Sequence, residues 1–317
     1  MADDRPILVT GAAGGVGAVG RTVVEALRRD SLPVRALVHR EDERAEALRA
    51  TGAQVVVGDL ARAPDVARAV DGCRRMYFGM SVSARYLEAA LTTAVVARRY
   101  GELDAFVNMS QMTVSQMDLT SVQESAQQRH HWLAEQALDW SGLPVVHVRP
   151  TVFMENPLFT SFADASIARD GTIRLPFGTG RTSPVAAGDV AEAVAAILRD
   201  PAPHVGKVYE LTGPRSRDLH ELAGEYARAL GRPVSYVDVP LEPWIEHELR
   251  GLGPPPHLFD HLATMARLHA ANRYDRVTGD VELLTGRPPS DLREFVETHP
   301  DLFPATRRRT LRAKYIR

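Results

Sequence analysis

A short apolar run, Ile7-Leu8-Val9, leads into glycines at positions 11, 14, 15 and 17, after which Val16, Val19, Val23 and Leu27 recur at helical spacing. That order predicts a strand, a tight glycine turn and the start of a helix whose apolar stripe faces a sheet. Each glycine then answers a steric need. Gly11 permits the turn, Gly14 lets the backbone approach a pyrophosphate, and Gly17 lets the helix pack close to the strand. A helix N-terminus adds unpaired N–H groups and a favourable dipole for the anion. Gly11, Ala13, Gly14, Gly15, Val16 and Gly17 are therefore the expected phosphate-binding segment of a dinucleotide site.

The next apolar run, Val34 to Val38, predicts a second strand, followed by His39 and Arg40. An acidic residue there would hold both ribose hydroxyls of NAD(H) and repel a 2′-phosphate. A guanidinium instead offers the phosphate a charge-assisted partner. NADP(H) is expected over NAD(H), with Glu41 and Asp42 working against it and loop capping by Arg40 as the alternative.

Strand and helix patterns keep alternating: Gln54 to Val57, Ala63 to Val70, Arg75 to Phe78, Ala84 to Tyr100, Asp104 to Asn108, Ser121 to Trp140 and Pro144 to Val148. Such alternation builds a doubly wound parallel sheet, a Rossmann α/β fold, whose ligands lie beyond the carboxyl ends of the strands. Residues 1–155 are the expected NAD(P)-binding domain. Residues 156–317 are the expected smaller α/β substrate lobe, contributing back to the sheet, with a loose, turn-rich stretch from Gly171 to Gly180 and a helix from Gly188 to Leu198. Asp59 could accept from the adenine amino group while Leu60 packs on the ring, or Asp59 could cap the following helix. Met80, Ser81, Ser110 and Thr151 follow later strands and are expected near the nicotinamide half.

At 317 residues, with 44% apolar and 25% charged residues and a formal net charge of −2, the chain has the composition of a folded enzyme-sized unit and lacks the basic excess that nucleic acid demands. No membrane-length apolar run or signal-peptide pattern is evident, so the cytoplasm is the expected location. Cys73 reads as a small core residue. His257, His261 and His269 read as surface or lobe-packing histidines, and no metal site is expected. The basic tail from Arg307 to Arg317 reads as a solvated terminus.

The N-terminal VTGAAGGVG, the VRALVHR strand, the GDL turn and above all HHWLAEQALDWSGLPVVHVRPTVFMEN, residues 130 to 156, resemble the NmrA-like atypical short-chain dehydrogenases, a group of NADPH-dependent quinone reductases, triphenylmethane reductases and NADP(H)-sensing regulators. The resemblance is good over roughly residues 5 to 160. It is weak through Gly188 to Ala191 and Leu284 to Phe295. Ordinary short-chain dehydrogenases carry YxxxK on the helix before the SGLP strand, where the tyrosine protonates a carbonyl. Here those positions hold Gln127 and His131. They share a helix face, which the resemblance turns toward the nicotinamide. His131 could hold the nicotinamide ribose or donate a proton, and the first role is the expected one.

Without the tyrosine acid, ketone reduction is disfavoured. Hydride transfer into a quinone or other delocalised acceptor, whose charge is neutralised later by water, is not. Phe153, Phe159 and Phe162 could line the acceptor pocket, with packing between the lobes as the competing role. Two functions remain open: an NADPH-dependent reductase of a small-molecule acceptor, favoured here, and a non-catalytic NADP(H) sensor acting through a protein partner.

Overall fold

The computed structural model describes residues 5–14, 18–100 and 102–303. Gly15, Val16, Gly17 and the basic tail lie outside them. In chain order the first half runs β1 Ile7–Thr10, α1 Val19–Arg29, β2 Val34–Val38, α2 Glu43–Ala50, β3 Gln54–Val57, α3 Ala63–Val70, β4 Arg75–Phe78, α4 Tyr86–Tyr100, β5 Ala105–Met109, α5 Ala126–Trp140 and β6 Val145–Pro150. The second half runs α6 Ser161–Asp170, β7 Thr172–Leu175, α7 Ala187–Arg199, β8 Val208–Leu211, α8 Leu219–Leu230, β9 Ser235–Asp238, α9 Leu241–Trp244, α10 Pro256–Ala270, α11 Asp280–Thr285 and α12 Leu292–Thr298.

Seven strands form one parallel sheet in the order β3-β2-β1-β4-β5-β6-β8. β1 and β4 are buried along their whole length because both faces of a parallel sheet are covered by helices. Val23 and Leu27 of α1 and Val190, Val194 and Leu198 of α7 form the core on one face. Val66 of α3, Tyr86 and Ala90 of α4 and Ala134 and Leu138 of α5 form it on the other. The strand order reverses between β1 and β4, which places a ligand crevice at their carboxyl ends. Residues beyond 156 supply β8 and α7 to this body. The remainder encloses a second core around Phe159, Phe177, Tyr226, Trp244 and Phe295 and carries the parallel pair β7–β9. No helix among the described residues is long and apolar enough to cross a membrane.

The ends of α4, β5, β6 and α7 lie one or two residues from the sequence expectation, and three elements differ by more. α1 begins at Val19, with Ala18 in the left-handed region as its cap. α5 begins at Ala126, not Ser121, because Ser125 forms a capping box: its Oγ accepts from Gln128 N, and the Gln128 side chain accepts from Ser125 N. The stretch from Gly171 to Gly180 contains β7, whose Ile173 and Leu175 alternate inward over only four residues, too short a run for periodicity to reveal.

Candidate functional site

The crevice begins at the glycine turn. Gly11 has φ +67°, and a Cβ on it would stand 2.5 Å from Gly79 O, so only glycine lets β1 and β4 close here. The Thr10 hydroxyl fastens the same point, donating to Gly79 O at 2.9 Å and accepting from Gly79 N at 3.0 Å. Gly14 N donates to Gly11 O at 3.0 Å. A Cβ on Gly14 would lie 3.1 Å from that oxygen and 3.6 Å from Ser81 Oγ, so Ser81 and the turn share one wall. Gly17, expected to pack the helix close to the strand, lies outside the described residues; such packing is seen at Gly20, whose added Cβ would stand 2.8 Å from Gly11 C. Its sequence signal was its place one turn before Val23, obscured by the evenly spaced glycines at 11, 14 and 17.

At the adenine end, His39 and Arg40 are exposed just beyond β2, and among the described residues Arg40 makes no ion pair. Sequence reasoning passed over Arg44. Its Nη1 donates to Ala13 O at 2.9 Å, and its Nε and Nη2 lie 3.0 and 2.5 Å from Asp42 Oδ2, so a second guanidinium spans the turn and the α2 cap. Asp59 does not cap α3, whose N-cap position is Arg62. Its Oδ1 accepts from Ala61 N at 2.9 Å and its Oδ2 from Arg85 at 2.9 Å. The Ala61 N–H and then the Arg85 guanidinium hold this carboxyl below its ordinary value. Leu60 packs at the margin of the core between α3 and α4, as does Met80.

At the other end, several buried polar atoms lack partners among the described residues: Asn108 Oδ1, Ser110 Oγ, Gln111 Nε2 and His131 Nδ1. Buried groups of this kind are ordinarily satisfied, so together with the glycine cradle they fit a polar ligand such as a nicotinamide riboside. His131 is 9% exposed and packs on the Tyr86 ring at 4.0 Å. Burial, then the neighbouring His261 and His130, push its pKa down to about 3, so it is an uncharged ring at neutral pH. Gln127 contacts it through Nε2 at 3.1 Å, while Gln127 Oε1 accepts from Ser83 N at 3.1 Å and from His257 at 2.8 Å. His257, read from the sequence as a surface or lobe-packing residue, thus carries α10 of the lobe onto this pair. His261 is also buried, bonded to Ser125 Oγ at 2.9 Å, and His269 stacks on Tyr274 at 3.9 Å. Among the described residues no three His, Cys, Asp or Glu side chains converge as metal ligands. Cys73 is buried, and desolvation raises its thiol to about 11.

The Thr151 hydroxyl donates to Ser183 O at 2.6 Å, which ties β6 to the segment before α7. Phe159 and Phe162 are interior to the lobe, Phe162 lying against Trp244 at 5.2 Å, so their rings pack the core and do not face an open pocket. Phe153 is half-buried and bridges to Val185. Glu155, unremarked in the sequence, accepts from Ala187 N at 3.1 Å through both oxygens, and burial raises its carboxyl to about 7.

A pKa raised on folding means stability that is complete below the unfolded carboxyl value and is lost as pH rises through the folded one. Between about pH 4.5 and 7, wild-type stability is expected to fall relative to Glu155→Gln by roughly 3 kcal/mol in urea titrations, and a difference independent of pH would contradict the assignment.

Residues 14–201 match the NAD(P)H-binding family. The chain is 30% identical over 294 residues to the NAD(P)H azoreductase of Xenophilus azovorans, covering 92% of this chain and 98% of that one. Its structure superposes on the NADPH-dependent quinone oxidoreductase of Escherichia coli in complex with NADPH, with a TM-score of 0.78 and 24% identity over 92% of this chain and 99% of the other. It also superposes on NmrA, a negative transcriptional regulator, in complex with NADP, with a TM-score of 0.76 and 18% identity over 93% and 95% of the two chains.

Proposed function

The chain belongs to the NAD(P)H-binding family, and from that premise we propose that it is an NADPH-dependent reductase that passes hydride to a quinone, azo compound or similar delocalised acceptor. The observation that carries this reading is the Gln127–His131 pair, buried and uncharged where the ordinary dehydrogenases place a proton-donating tyrosine and its lysine. With no acid there, an acceptor that develops a localised alkoxide gains nothing, whereas one that spreads the incoming charge needs only to be held near the hydride source in a dry site. The cofactor, when bound, supplies that hydride.

The residues divide the work along the crevice. Gly11 to Gly14 and Ser81 receive the pyrophosphate, Arg40 and Arg44 the 2′-phosphate, and Asp59 with Leu60 borders the adenine. Met80, Ser110, His131 and Thr151 border the nicotinamide riboside. Residues 1–155 hold the cofactor, and the lobe of residues 156–317 closes the acceptor side, with Phe153 on its margin. The 30% identity to an azoreductase supports the acceptor class.

Cofactor choice follows from the cations. Arg40→Asp is expected to weaken NADPH binding relative to NADH by about tenfold or more, since a lost charge-assisted contact costs on the order of 1.5 to 3 kcal/mol. Fluorescence titration of both cofactors measures it. Equal affinity of the wild type for the two would contradict the assignment.

The reaction itself is tested by following NADPH consumption with a quinone, an azo dye and a simple ketone. Turnover is expected with the first two and not with the ketone. Preference for the ketone would overturn the proposed chemistry.

A further inference from the structure

We infer that Gln127 locks His131 in the Nδ1–H tautomer, giving the crevice an uncharged hydrogen-bond donor for a ribose oxygen of the dinucleotide; the ligand assignment rests on the functional reading above. A backbone N–H can only donate, so the Gln127 atom 3.1 Å from Ser83 N is the side-chain oxygen. His257 Nε2 lies 2.8 Å from that same oxygen and therefore donates as well. The remaining terminal atom of Gln127 is its amide nitrogen, which has only hydrogens to offer, and it stands 3.1 Å from His131 Nε2. A ring nitrogen that accepts an N–H carries no proton. The single proton of the neutral ring then sits on Nδ1, which is buried and has no partner among the described residues.

The place of this donor names its acceptor. Tyr86, whose ring packs on His131 at 4.0 Å, donates its hydroxyl to Met109 O at 3.2 Å, at the carboxyl end of β5. The next residue, Ser110, presents a second buried hydroxyl without a partner. A buried donor on α5 and a buried hydroxyl just after β5, linked through Tyr86 and neither with a partner among the described residues, suit the diol of a ribose, whose oxygens both accept and donate.

Among the described residues, no unpaired carboxylate lies against the ring to hold a proton on it. On α5 its neighbours are His130 and Glu135, the latter bound to Arg149. From α4 comes the Tyr86 phenol, and from α10 come His257 and His261, the latter bonded to Ser125 Oγ.

The test uses the whole protein with 15N-labelled histidine, first without cofactor. The His131 signals, identified by their loss in His131→Asn, are expected to show the Nδ1–H pattern at neutral pH. In Gln127→Glu the residue at 127 can only accept, so His131 should become Nε2–H, or imidazolium at lower pH. Titrated with NADPH across pH, Gln127→Glu is expected to bind about tenfold more weakly than the wild type where His131 is neutral and to approach it where His131 is protonated, because only the imidazolium restores the Nδ1–H. An Nε2–H pattern in the wild type would overturn the lock. Equal affinity of the two proteins at every pH would overturn the donor role. Failure of the wild type to bind NADPH at all would overturn the functional reading and the ribose assignment with it, while the tautomer is still decided in the protein alone.

Discussion

Gly14→Val is expected to lower NADPH affinity by more than about 100-fold while leaving the far-ultraviolet circular dichroism and the unfolding midpoint close to those of the wild type. Gly14 lies outside the left-handed region, so valine can take its backbone conformation, and among the described residues the added Cβ meets Gly11 O at 3.1 Å and Ser81 Oγ at 3.6 Å. Small local shifts absorb that contact. The valine methyls then stand in the space that the proposed site gives to the pyrophosphate, and overpacking there costs about 3 kcal/mol or more, which is roughly 100-fold in affinity. Gly11→Ala provides the contrast, because its Cβ would fall 2.5 Å from Gly79 O in a backbone with φ +67°, and the loss should appear in folding. Calorimetric titration beside circular dichroism separates the two. NADPH affinity within about threefold of wild type in Gly14→Val would remove this turn from the site.

The largest effect on stability is expected from Glu135→Ala. Glu135 is 1% exposed and holds Arg149 through two bonds, at 3.0 and 2.5 Å, fastening α5 to β6 beneath the site. Removing one partner of a buried pair strands the other charge, at a cost of about 3 to 5 kcal/mol. Arg149 also stands 3.9 Å from Glu210, which favours the lower end of that range. In thermal unfolding the loss corresponds to a midpoint lower by about 5 °C. Replacing both residues by leucine and methionine should recover most of it, since an apolar pair of similar volume carries no desolvation cost. A single-variant loss below about 1 kcal/mol would show that the pair is not acting as a buried unit.

What could be read from the sequence was local. β3, α3 and β4 lie where turn residues and short apolar runs bound them, and the parallel sheet follows from their alternation. The turn itself is legible, but the close approach of Gly20 to the strand is not, since which glycine meets the strand depends on where the helix starts. The Ser125 capping box was present in the letters Ser-Ala-Gln-Gln and would have set the start of α5. Arg44 escaped notice because its role depends on a side chain reaching back from α2 to Ala13 O. His257 reads in the sequence as either a surface or a lobe-packing residue, and its partner is hidden there, because it meets Gln127 across 130 residues of chain through the packing of α10 on α5. Phe159 and Phe162 illustrate the converse: apolar residues following the last predicted strand are as suited to a core as to a pocket, and the lobe uses them as core.

The central claim is that this chain transfers hydride and does not merely sense the cofactor. The most direct measurement mixes the protein, saturated with a stoichiometric amount of NADPH, with a quinone in a rapid-mixing instrument and follows the reduced nicotinamide. The account predicts that all of the bound NADPH is oxidised in a single phase faster than the uncatalysed reaction, with one quinone reduced per cofactor. Bound NADPH that stays reduced with quinone and azo acceptors alike, in a protein that binds it tightly, would contradict it.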